Sequence, residues 1–512
     1  MTKALRLRAA LNRPLSKCSM HTRVEPSYND AINLLNSTQV GFRALENRRS
    51  IGWTPDEESI RQMKDWLGSL GYTPKDLDRL NVVHIAGTKG KGSTSALTSS
   101  ILNQYRLSSP PSSSPKPGKI GLYTSPHLTS VRERIRLNKV PISEAAFTEA
   151  FFHVWNTLGL DHVAPQDKPT YFRMLTLLSF HVFMSEGVDA AVYEVGVGGE
   201  FDATNVFERP AATGISSLGI DHVGVLGATL GEIAWHKAGV MKTGSPAFTV
   251  AQDEEAMRVL EARAKDKGVE LVEVGMNPGL RNIQLRPDED FQRKNASLAV
   301  RLAATVMERF GVHVDIDGDN LPKEVVDGIE QCSWRGRCEM ITTGKQKWYL
   351  DGAHNEQSLD VACRWFGRVS KERFGSDAPC ALIFNQQSDR DAVEMLTFVY
   401  NLLSKTNTSI KYAVFCTNTT YKDNTTRPDF VNTNVDPDVV KKLTLQNTLA
   451  KAWPSLDSQT EVAVASSIEE AINGIREKEE DLQVFITGSF HLVGGALSIL
   501  EGEDSGLKTR EI

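Results

Sequence analysis

The sequence predicts an α/β protein with two domains, and three observations support this fold class. The chain has 512 residues, more than a single hydrophobic core usually organises. Segments such as VDAAVYEV, AATGISS and SPAFTVA are apolar throughout instead of alternating, which is typical of strands covered on both faces of a parallel sheet. Helix-compatible segments separate these runs, and that alternation is the pattern of a parallel α/β fold.

The first domain is predicted to begin with helices and to continue as a sheet. AINLLNSTQVGFRAL and PDEESIRQMKDWLGSLG carry apolar residues every three or four positions, as amphipathic helices do. LNVVHIA then predicts a buried strand, STSALTSSILNQY a helix and KIGLYTS a further strand. Residues 108–118 are rich in proline and serine and predict a surface loop.

A second cycle of strands begins after residue 330. KWYLDGA, APCALIFN, IKYAVFCT, EVAVASS and LQVFITGS predict strands with helices between them, so the C-terminal domain is expected to be a Rossmann-like α/β domain. We place the boundary near residues 329–334, which gives domains at 25–330 and 331–512. The polar stretch 418–433 is predicted to be a solvated insertion.

Composition excludes several classes of protein. The apolar runs are too short to span a bilayer, so we expect no integral membrane span. A formal net charge of −6 argues against a surface that binds nucleic acid. The six cysteines lack the paired spacing of a zinc site, and they are expected to be reduced thiols.

The first residues have the composition of a mitochondrial transit peptide. Residues 1–24 contain six lysines and arginines and no acidic residue, and they lack the long apolar centre of a secretory signal. A disordered basic tail is the alternative. Translation from Met20 would remove most of this charge, so we expect a mitochondrial matrix form and a cytoplasmic form.

The stretch HIAGTKGKGSTSAL joins a predicted strand to a predicted helix through a glycine-rich turn. Such a turn directs backbone N–H groups and the helix dipole at a bound anion, which is commonly a phosphate. Lys91 can neutralise phosphate charge, and Ser93 or Thr94 can offer a hydroxyl to phosphate or magnesium. The stretch therefore resembles a P-loop and predicts a mononucleotide-binding domain, although Gly92 separates the lysine from the hydroxyl residues.

Two further segments place polar residues at the ends of predicted strands. Glu194 closes the strand VDAAVYEV, and Asp221 and His222 follow the strand AATGISS. In parallel sheets the ligand crevice lies at the carboxyl ends of the strands, so these side chains are expected to share one site with the glycine-rich turn. A structural hydrogen-bonded pair is the alternative for Asp221 and His222.

The whole set of motifs resembles one enzyme family. HIAGTKGKGSTSAL, LYTSPHLTSVRERI, YEVGVGGEFDATNV, LGIDHVGVLGATLGEIAWHKAGVMK, WRGRCEM and YLDGAHNEQSL occur in the order found in the folylpolyglutamate synthase family, which belongs to the Mur-type ATP-dependent amide ligases. The resemblance runs from about residue 29 to residue 497. It implies that the γ-carboxylate of a reduced folate is phosphorylated by ATP and that the amino group of L-glutamate then displaces the phosphate.

The resemblance also implies site residues and cofactors. Lys91, His222 and Lys237 are the expected catalytic residues. The residues expected to bind ATP are Gly87, Thr88, Gly90, Lys91, Gly92, Ser93, Asn295, Arg337, Asp351 and His354. Ser125, Glu194 and His222 are the expected Mg²⁺ ligands. Lys237 matches a lysine that the family carbamylates, which would provide a ligand for a second Mg²⁺; a solvated or salt-bridged lysine is the alternative. A monovalent cation is a further expected cofactor.

Three functions stay open at this stage. The first is a monomeric ligase whose partners are reduced folate, L-glutamate and ATP. The second is a dihydrofolate synthase, alone or combined with the first activity. The third is a nucleotide-dependent binding protein without turnover.

Two departures from the family pattern bear on the site: Arg335 replaces a common proline, which predicts a looser turn, and Glu200 stands where bacterial relatives often have a basic residue.

Overall fold

The computed structural model describes residues 26–108, 116–375, 378–387, 391–423, 427–478 and 481–502. The predicted transit peptide at 1–24, Met20 and most of the 108–118 loop lie outside the described residues. Within them, the predicted α/β fold is confirmed: two mostly parallel sheets follow each other along the chain.

Strands of the first sheet come from the N-terminal part of the chain. They are β1 (Val83–Ala86), β2 (Ile120–Tyr123), β3 (Ile135–Leu137), β4 (Val140–Pro141), β5 (Ala190–Glu194), β6 (Ala212–Ile215), β7 (Ala247–Val250) and β8 (Leu271–Val274). Their order across the sheet is β4-β3-β2-β5-β1-β6-β7-β8. All neighbours from β2 to β8 in this order are parallel, whereas β3 and β4 pair in antiparallel fashion at one edge.

Helices precede this sheet and connect its strands. They are α1 (Tyr28–Asn36), α2 (Phe42–Ser50), α3 (Glu57–Ser69), α4 (Lys91–Leu107), α5 (Glu144–Thr157), α6 (Tyr171–Ser185), α7 (Val223–Leu226), α8 (Leu230–Lys237), α9 (Glu254–Asp266), α10 (Asp290–Arg309) and α11 (Lys323–Glu330). The pattern AINLLNSTQVGFRAL forms two helices, not one, because the turn at residues 37–41 separates α1 from α2.

The second sheet follows α11. Its strands are β9 (Glu339–Thr343), β10 (Gln346–Leu350), β11 (Cys380–Phe384), β12 (Ile410–Cys416), β13 (Glu461–Ala465) and β14 (Gln483–Thr487), in the order β13-β12-β11-β14-β10-β9. Among the strands described in this sheet, β9 pairs in antiparallel fashion with β10, and all other neighbours are parallel. The helices are α12 (Glu356–Phe374), α13 (Ala392–Lys405), α14 (Pro437–Lys441), α15 (Thr444–Ala452), α16 (Ile468–Arg476) and α17 (Phe490–Glu501).

Both sheets are buried on their two faces, which explains the continuous apolar runs. In β5, Val192 belongs to one hydrophobic cluster and Tyr193 to another on the opposite face. In β14, Val484 and Phe485 are divided in the same way. Edge strands such as β8 and β9 were not predicted, because LVEV and EMITT are short and partly polar.

Two expectations about loops are wrong. The described part of the 418–433 insertion is not simply solvated: Asp429 is buried, and residues 428–433 form hydrogen bonds with α1 and with Gln39 and Phe42. The turn at Arg335 is not loose, because the buried guanidinium binds Glu339 and Glu501, both at 2.7 Å. Among the described residues, none of the helices combines the length and apolar character needed to cross a membrane.

Candidate functional site

A cleft of about 800 Å³ lies between the two sheets and is lined from both. The first sheet contributes the glycine-rich turn and the carboxyl ends of β5 and β6, and the second contributes the residues that follow β10. All predicted site residues line this cleft except Gly87 and Lys237. The prediction that these distant segments share one site is therefore consistent with the fold.

The glycine-rich turn is fixed by the segment that follows β6. The backbone N–H groups of Thr88 and Lys89 both donate to the carbonyl oxygen of Ser217 at 3.0 Å. Thr88 Oγ1 also donates to the carbonyl oxygen of Gly219 at 3.0 Å. These bonds fix the turn, and Lys91, Gly92 and Ser93 at the start of α4 line the cleft. The first N–H groups of a helix have no partner within the helix, so they are suited to bind an anion.

The glycines of the turn differ in how closely their neighbours approach. Gly90 has a φ of +84°, and a Cβ added there would lie 2.1 Å from Asn295 Oδ1. A Cβ at Gly92 would lie 3.4 Å from both Glu194 Oε1 and Trp334 Nε1. That distance is an ordinary van der Waals contact, so the space around Gly92 does not by itself require glycine. Ser93 lines the cleft, whereas the side chain of Thr94 is buried.

Two lysine side chains meet at the carbonyl oxygen of Gly87. Lys91 Nζ donates to it at 3.0 Å and Lys237 Nζ at 2.8 Å. Lys237 lies behind the turn and is only 3 % exposed. Burial, with a further contribution from the Lys91 charge, lowers the pKa of Lys237 well below its usual range. Sequence reasoning identified Lys237 but did not place it beneath the turn.

Glu194 and Ser125 are brought into direct contact. The backbone N–H of Ser125 donates to Glu194 Oε2 at 2.9 Å. Burial raises the pKa of Glu194, and the charge of Lys91 opposes this shift. His222 lies in the same cleft, where it has a left-handed backbone with a φ of +52° and precedes α7.

Asp221 links the two halves of the cleft, and its role was not predicted. Its Oδ2 atom accepts hydrogen bonds from Lys89 Nζ at 3.2 Å and from Asn355 Nδ2 at 2.9 Å. Asn355 belongs to the second part of the chain, where it caps α12. Burial lowers the pKa of Lys89 to about 8, although the carboxylate of Asp221 opposes that shift. Spacing in the sequence gives no signal for a contact between residues 134 positions apart.

The residues after β10 form the opposite wall. Asp351 accepts the backbone N–H groups of Cys338 and Ala353, each at 2.8 Å. Burial raises the pKa of Asp351, and the nearby Arg337 charge opposes this. The guanidinium of Arg337 lies 4.7 Å from the ring centre of Phe490. Burial lowers the pKa of His354 to about 3, so its imidazole is neutral near pH 7.

Another part of the cleft combines aromatic and cationic side chains that sequence reasoning missed. Trp53, Phe172 and Phe201 line it together with Arg134 and Arg173. Arg134 is 8 % exposed, and its guanidinium lies 5.5 Å from the ring centre of Tyr171. Apolar rings beside guanidinium groups suit a flat aromatic ligand that carries carboxylates. These residues are dispersed along the chain, so only the fold brings them together.

The donors in the cleft are compatible with Mg²⁺ but do not form a metal site by themselves. Among the described residues, no three side chains of histidine, cysteine, aspartate or glutamate come together as metal ligands. Glu194 and Ser125 offer the oxygen donors that Mg²⁺ prefers, and His222 offers nitrogen. Mg²⁺ commonly binds through one or two protein groups and completes its coordination with water and phosphate oxygens.

Comparisons with known proteins identify several relatives of this chain. Residues 335–499 match the family model described as "Dihydrofolate synthetase, C-terminal domain". The folylpolyglutamate synthase of Neurospora crassa is 47 % identical over 495 residues, which cover 94 % of this chain and 92 % of that protein. The folylpolyglutamate synthase of Candida albicans is 40 % identical, with 96 % of this chain and 100 % of that protein covered.

Solved structures of the same family share the fold. A folylpolyglutamate synthase from Mycobacterium tuberculosis complexed with ADP has a TM-score of 0.67 at 23 % identity and covers 92 % of this chain and 99 % of its own. A structure described as an FPGS-AMPPCP-folate complex has a TM-score of 0.66 at 22 % identity, with 93 % and 99 % covered. The identity to the fungal proteins extends over nearly the entire length of both chains. The chain therefore belongs to the folylpolyglutamate synthase family.

Proposed function

We propose that this chain is an ATP-dependent ligase that adds L-glutamate to the γ-carboxyl group of tetrahydrofolate and its polyglutamates, releasing ADP and phosphate. One observation carries the proposal: a single cleft joins a glycine-rich turn with Lys91 on one wall to Arg337, Asp351 and His354 on the other. The family relationship supports the same reaction.

ATP would bind with its phosphates at the glycine-rich turn. The free N–H groups from Gly90 to Ser93 and the ammonium of Lys91 provide the positive potential that a triphosphate requires. We assign the remaining contacts with the nucleotide to Gly87, Thr88, Asn295, Arg337, Asp351 and His354. A related solved structure is described as a complex with ADP and AMPPCP, which supports this assignment.

Mg²⁺ would be held by Ser125, Glu194 and His222, together with phosphate oxygens. When bound, it would neutralise charge that develops on the phosphates. We propose that carbamylated Lys237 serves a second Mg²⁺, and its burial and lowered pKa support this because the neutral amine is the form that reacts with CO₂. A monovalent cation is part of the proposal, but we assign no residue to it.

The protein would assist the chemistry mainly by position and charge. The reaction transfers a phosphoryl group to a carboxylate, so two anions must be brought together. Lys91 and the N–H groups of the turn would stabilise this charge, as donors in a water-poor cleft do. The contact between Asp221 and Asn355 would keep the two walls together and so limit hydrolysis of the acyl phosphate.

The folate would occupy the aromatic and cationic part of the cleft. Phe172, Phe201 and Trp53 offer flat apolar surfaces for the pterin and benzoyl rings, and Arg134 and Arg173 offer partners for glutamyl carboxylates. A related structure described as an FPGS-AMPPCP-folate complex supports folate as the substrate class.

A direct assay tests the proposed reaction. Protein, ATP, Mg²⁺, L-glutamate and tetrahydrofolate are mixed, ADP is measured, and the folate product is analysed by mass. We expect ADP release that depends on folate and products that grow by whole glutamyl units. Folded protein that releases no ADP in response to folate would contradict the proposal and would favour a nucleotide-binding protein without turnover.

The second candidate is a dihydrofolate synthase, alone or as an additional activity. The description of the family model that matches residues 335–499 favours it. Replacing tetrahydrofolate with dihydropteroate in the same assay separates the candidates. Turnover with dihydropteroate alone would assign the second activity, and turnover with both substrates would assign a bifunctional enzyme.

We also propose an organisation for the whole chain. Residues 25–330 would form the ATP-binding domain and residues 331–512 the glutamate ligase domain of a monomeric enzyme. Residues 1–24 would direct one form to the mitochondrial matrix, and translation from Met20 would give a cytoplasmic form. Imaging of the full chain and of a Met1→Ala variant, each with a C-terminal tag, tests this: the variant should be confined to the cytoplasm.

A further inference from the structure

The segment 427–433, which lies between β12 and α14, crosses from the second sheet to the first half of the molecule. Asn36 Nδ2 donates to the carbonyl oxygen of Pro428 at 2.8 Å, and Gln39 Nε2 donates to that of Val431 at 2.8 Å. The backbone N–H of Phe42 donates to the carbonyl oxygen of Thr433 at 2.9 Å. These contacts attach the segment along α1 and the start of α2.

Asp429 is the buried centre of this attachment. Its side chain is 6 % exposed, and Oδ1 accepts the hydroxyl of Tyr28 at 2.9 Å and the backbone N–H of Val131 at 2.7 Å. Val131 belongs to the segment 124–134, which contains both Ser125 and Arg134. One carboxylate from the second half therefore holds both α1 and a segment that lines the cleft.

The backbone of Asp429 reaches the cleft through a histidine. Arg134 Nε donates to His127 Nδ1 at 3.0 Å, so Nδ1 is the accepting nitrogen of the ring. His127 Nε2 lies 3.0 Å from the carbonyl oxygen of Asp429, which can only accept, so Nε2 carries the proton and donates it. The directions of the two bonds agree and fix one tautomer of a buried imidazole.

Arg134 is the end of this relay and faces the cleft. Its Nε is used by His127, and its guanidinium packs on the Tyr171 ring. Arg134 is 8 % exposed, and it lines the cleft. A guanidinium held in this way is available for a substrate carboxylate.

We propose that segment 427–433 is a latch from the second half of the molecule, and that Asp429 and His127 are positioning residues that orient Arg134 in the cleft. The proposal rests on the proposed function only in taking the reaction in the cleft as its readout. Through His127, the latch couples the position of the second half to the orientation of the Arg134 guanidinium, which lies 295 residues earlier in the chain. The coupling is indirect, because His127 bonds to both Asp429 and Arg134.

A double-mutant cycle tests the relay. Asp429→Ala should lower kcat/KM for the carboxylate substrates about tenfold, because the segment is released from Val131 and Tyr28. In an Arg134→Ala background the same change should have almost no further effect, since coupled residues lose their effect together. The KM for ATP should change less than twofold in Asp429→Ala. Losses that add fully in the double variant would overturn the proposal.

Two further variants separate positioning from loss of fold. Asp429→Asn keeps an oxygen that can accept from Tyr28 and Val131, so it should retain most of the activity; a loss equal to that of Asp429→Ala would contradict the proposal. If Asp429→Ala does not fold, Tyr28→Phe removes one of the two donors and keeps the ring that packs on Phe147. It should show a smaller loss that again disappears in the Arg134→Ala background.

Hydrogen exchange gives a readout that does not depend on the reaction. Asp429→Ala or Tyr28→Phe should speed exchange of the backbone amides between residues 127 and 134, whereas amides of the glycine-rich turn should be unaffected. Equal exchange in the wild type and the variants would overturn the latch even if the chain catalysed a different reaction. Absence of folate-dependent turnover in the wild type would instead reject the proposed function alone.

Discussion

Lys237 and Gly87 are joined by a hydrogen bond of 2.8 Å from the lysine Nζ to the glycine carbonyl oxygen. Lys91 Nζ lies 3.0 Å from the same oxygen, so two amines share one acceptor beneath the glycine-rich turn. Burial and this neighbouring charge favour the neutral form of Lys237, which lies deeper in the protein than Lys91. The two lysines thus differ in chemistry even though both contact the same peptide.

Lys237 is predicted to form a carbamate. A neutral amine adds CO₂ and loses a proton, and the lowered pKa of Lys237 keeps the amine neutral at pH values where ordinary lysines are protonated. Protein incubated with ¹³C-bicarbonate should give a carbamate signal in ¹³C NMR. The signal should increase as the pH rises through the lowered pKa of Lys237 and should disappear at lower pH.

Lys237→Met is the matched control, since methionine has an unbranched side chain without charge, as the neutral lysine has, and forms no carbamate. We expect it to lose the ¹³C signal and to lower turnover at least about tenfold, the scale of changes beside a metal site. A carbamate signal of the same size in wild type and variant would show that another lysine carries it.

Lys91→Ala is predicted to abolish most of the turnover. Lys91 begins α4 at the turn and lines the cleft, so its loss removes the main protein cation from the expected phosphate site. A loss of about 10²-fold or more in kcat is expected for such an electrostatic contribution. Lys119→Ala, which removes an exposed lysine paired with Glu186, should change kcat little. Similar kcat values for the two variants would remove Lys91 from the mechanism.

Gly90→Ala is predicted to damage nucleotide binding without unfolding the protein. The added Cβ would lie 2.1 Å from Asn295 Oδ1, and φ at this position is +84°, which disfavours alanine. We expect the Kd for ATP to rise at least about tenfold, which is the effect of about 1.4 kcal/mol. Calorimetric titration with ATP measures this directly.

Two controls separate the contact from a general effect of alanine. Gly68→Ala in α3 has no atom within 4 Å of the added Cβ, so it should leave ATP binding unchanged and stabilise the helix by up to about 1 kcal/mol. Asn295→Ala removes the clash but not the backbone strain, so adding Gly90→Ala to Asn295→Ala should weaken ATP binding less than adding it to the wild type. No difference between Gly90→Ala and Gly68→Ala would contradict the role of the turn.

The sequence predicts the parallel sheets well because their signal is local. Each predicted strand, such as β5 or β14, is a short apolar run with both faces buried. The run consists of consecutive residues, so it can be recognised without knowing the rest of the fold. The glycine-rich turn is equally local, because its glycines, Lys91 and Ser93 are neighbours. The site at the ends of β5 and β6 then follows from a general rule about parallel sheets.

Contacts between the halves of the molecule could not be predicted, because they depend on tertiary packing. Asp221 gains a hydrogen bond from Asn355, and Asp429 gains one from Tyr28, which is 401 residues away. Segment 427–433 is polar and therefore has the composition of a solvated loop, yet two of its carbonyl oxygens accept hydrogen bonds from Asn36 and Gln39. Arg335 likewise has a fixed geometry only because Glu339 and Glu501 are folded beside it.

His84 is predicted to make the stability of the first sheet depend on pH. It is fully buried in β1, where Nε2 lies 2.8 Å from Thr204 Oγ1, and Nδ1 has no partner among the described residues. Burial lowers its pKa from 6.5 to about 3. Between these two values the unfolded chain binds a proton that the folded chain does not, so this contribution is complete above pH 6.5 and is lost as the pH falls.

The change can be measured against a variant that does not titrate. His84→Gln keeps a group that can bond to Thr204, and its own cost is the same at every pH. From pH 6.5 to pH 5.0 the wild type should lose about 1.5 kcal/mol more of its unfolding free energy than the variant does. Urea titrations of both proteins at the two pH values measure these losses. Burial raises the pKa values of Glu194 and Asp202, which stabilises the folded state as the pH falls, but this effect is the same in both proteins and cancels in their difference. Equal losses in the two proteins would show that the imidazole takes up a proton in the folded state, against the burial that the structure assigns to it.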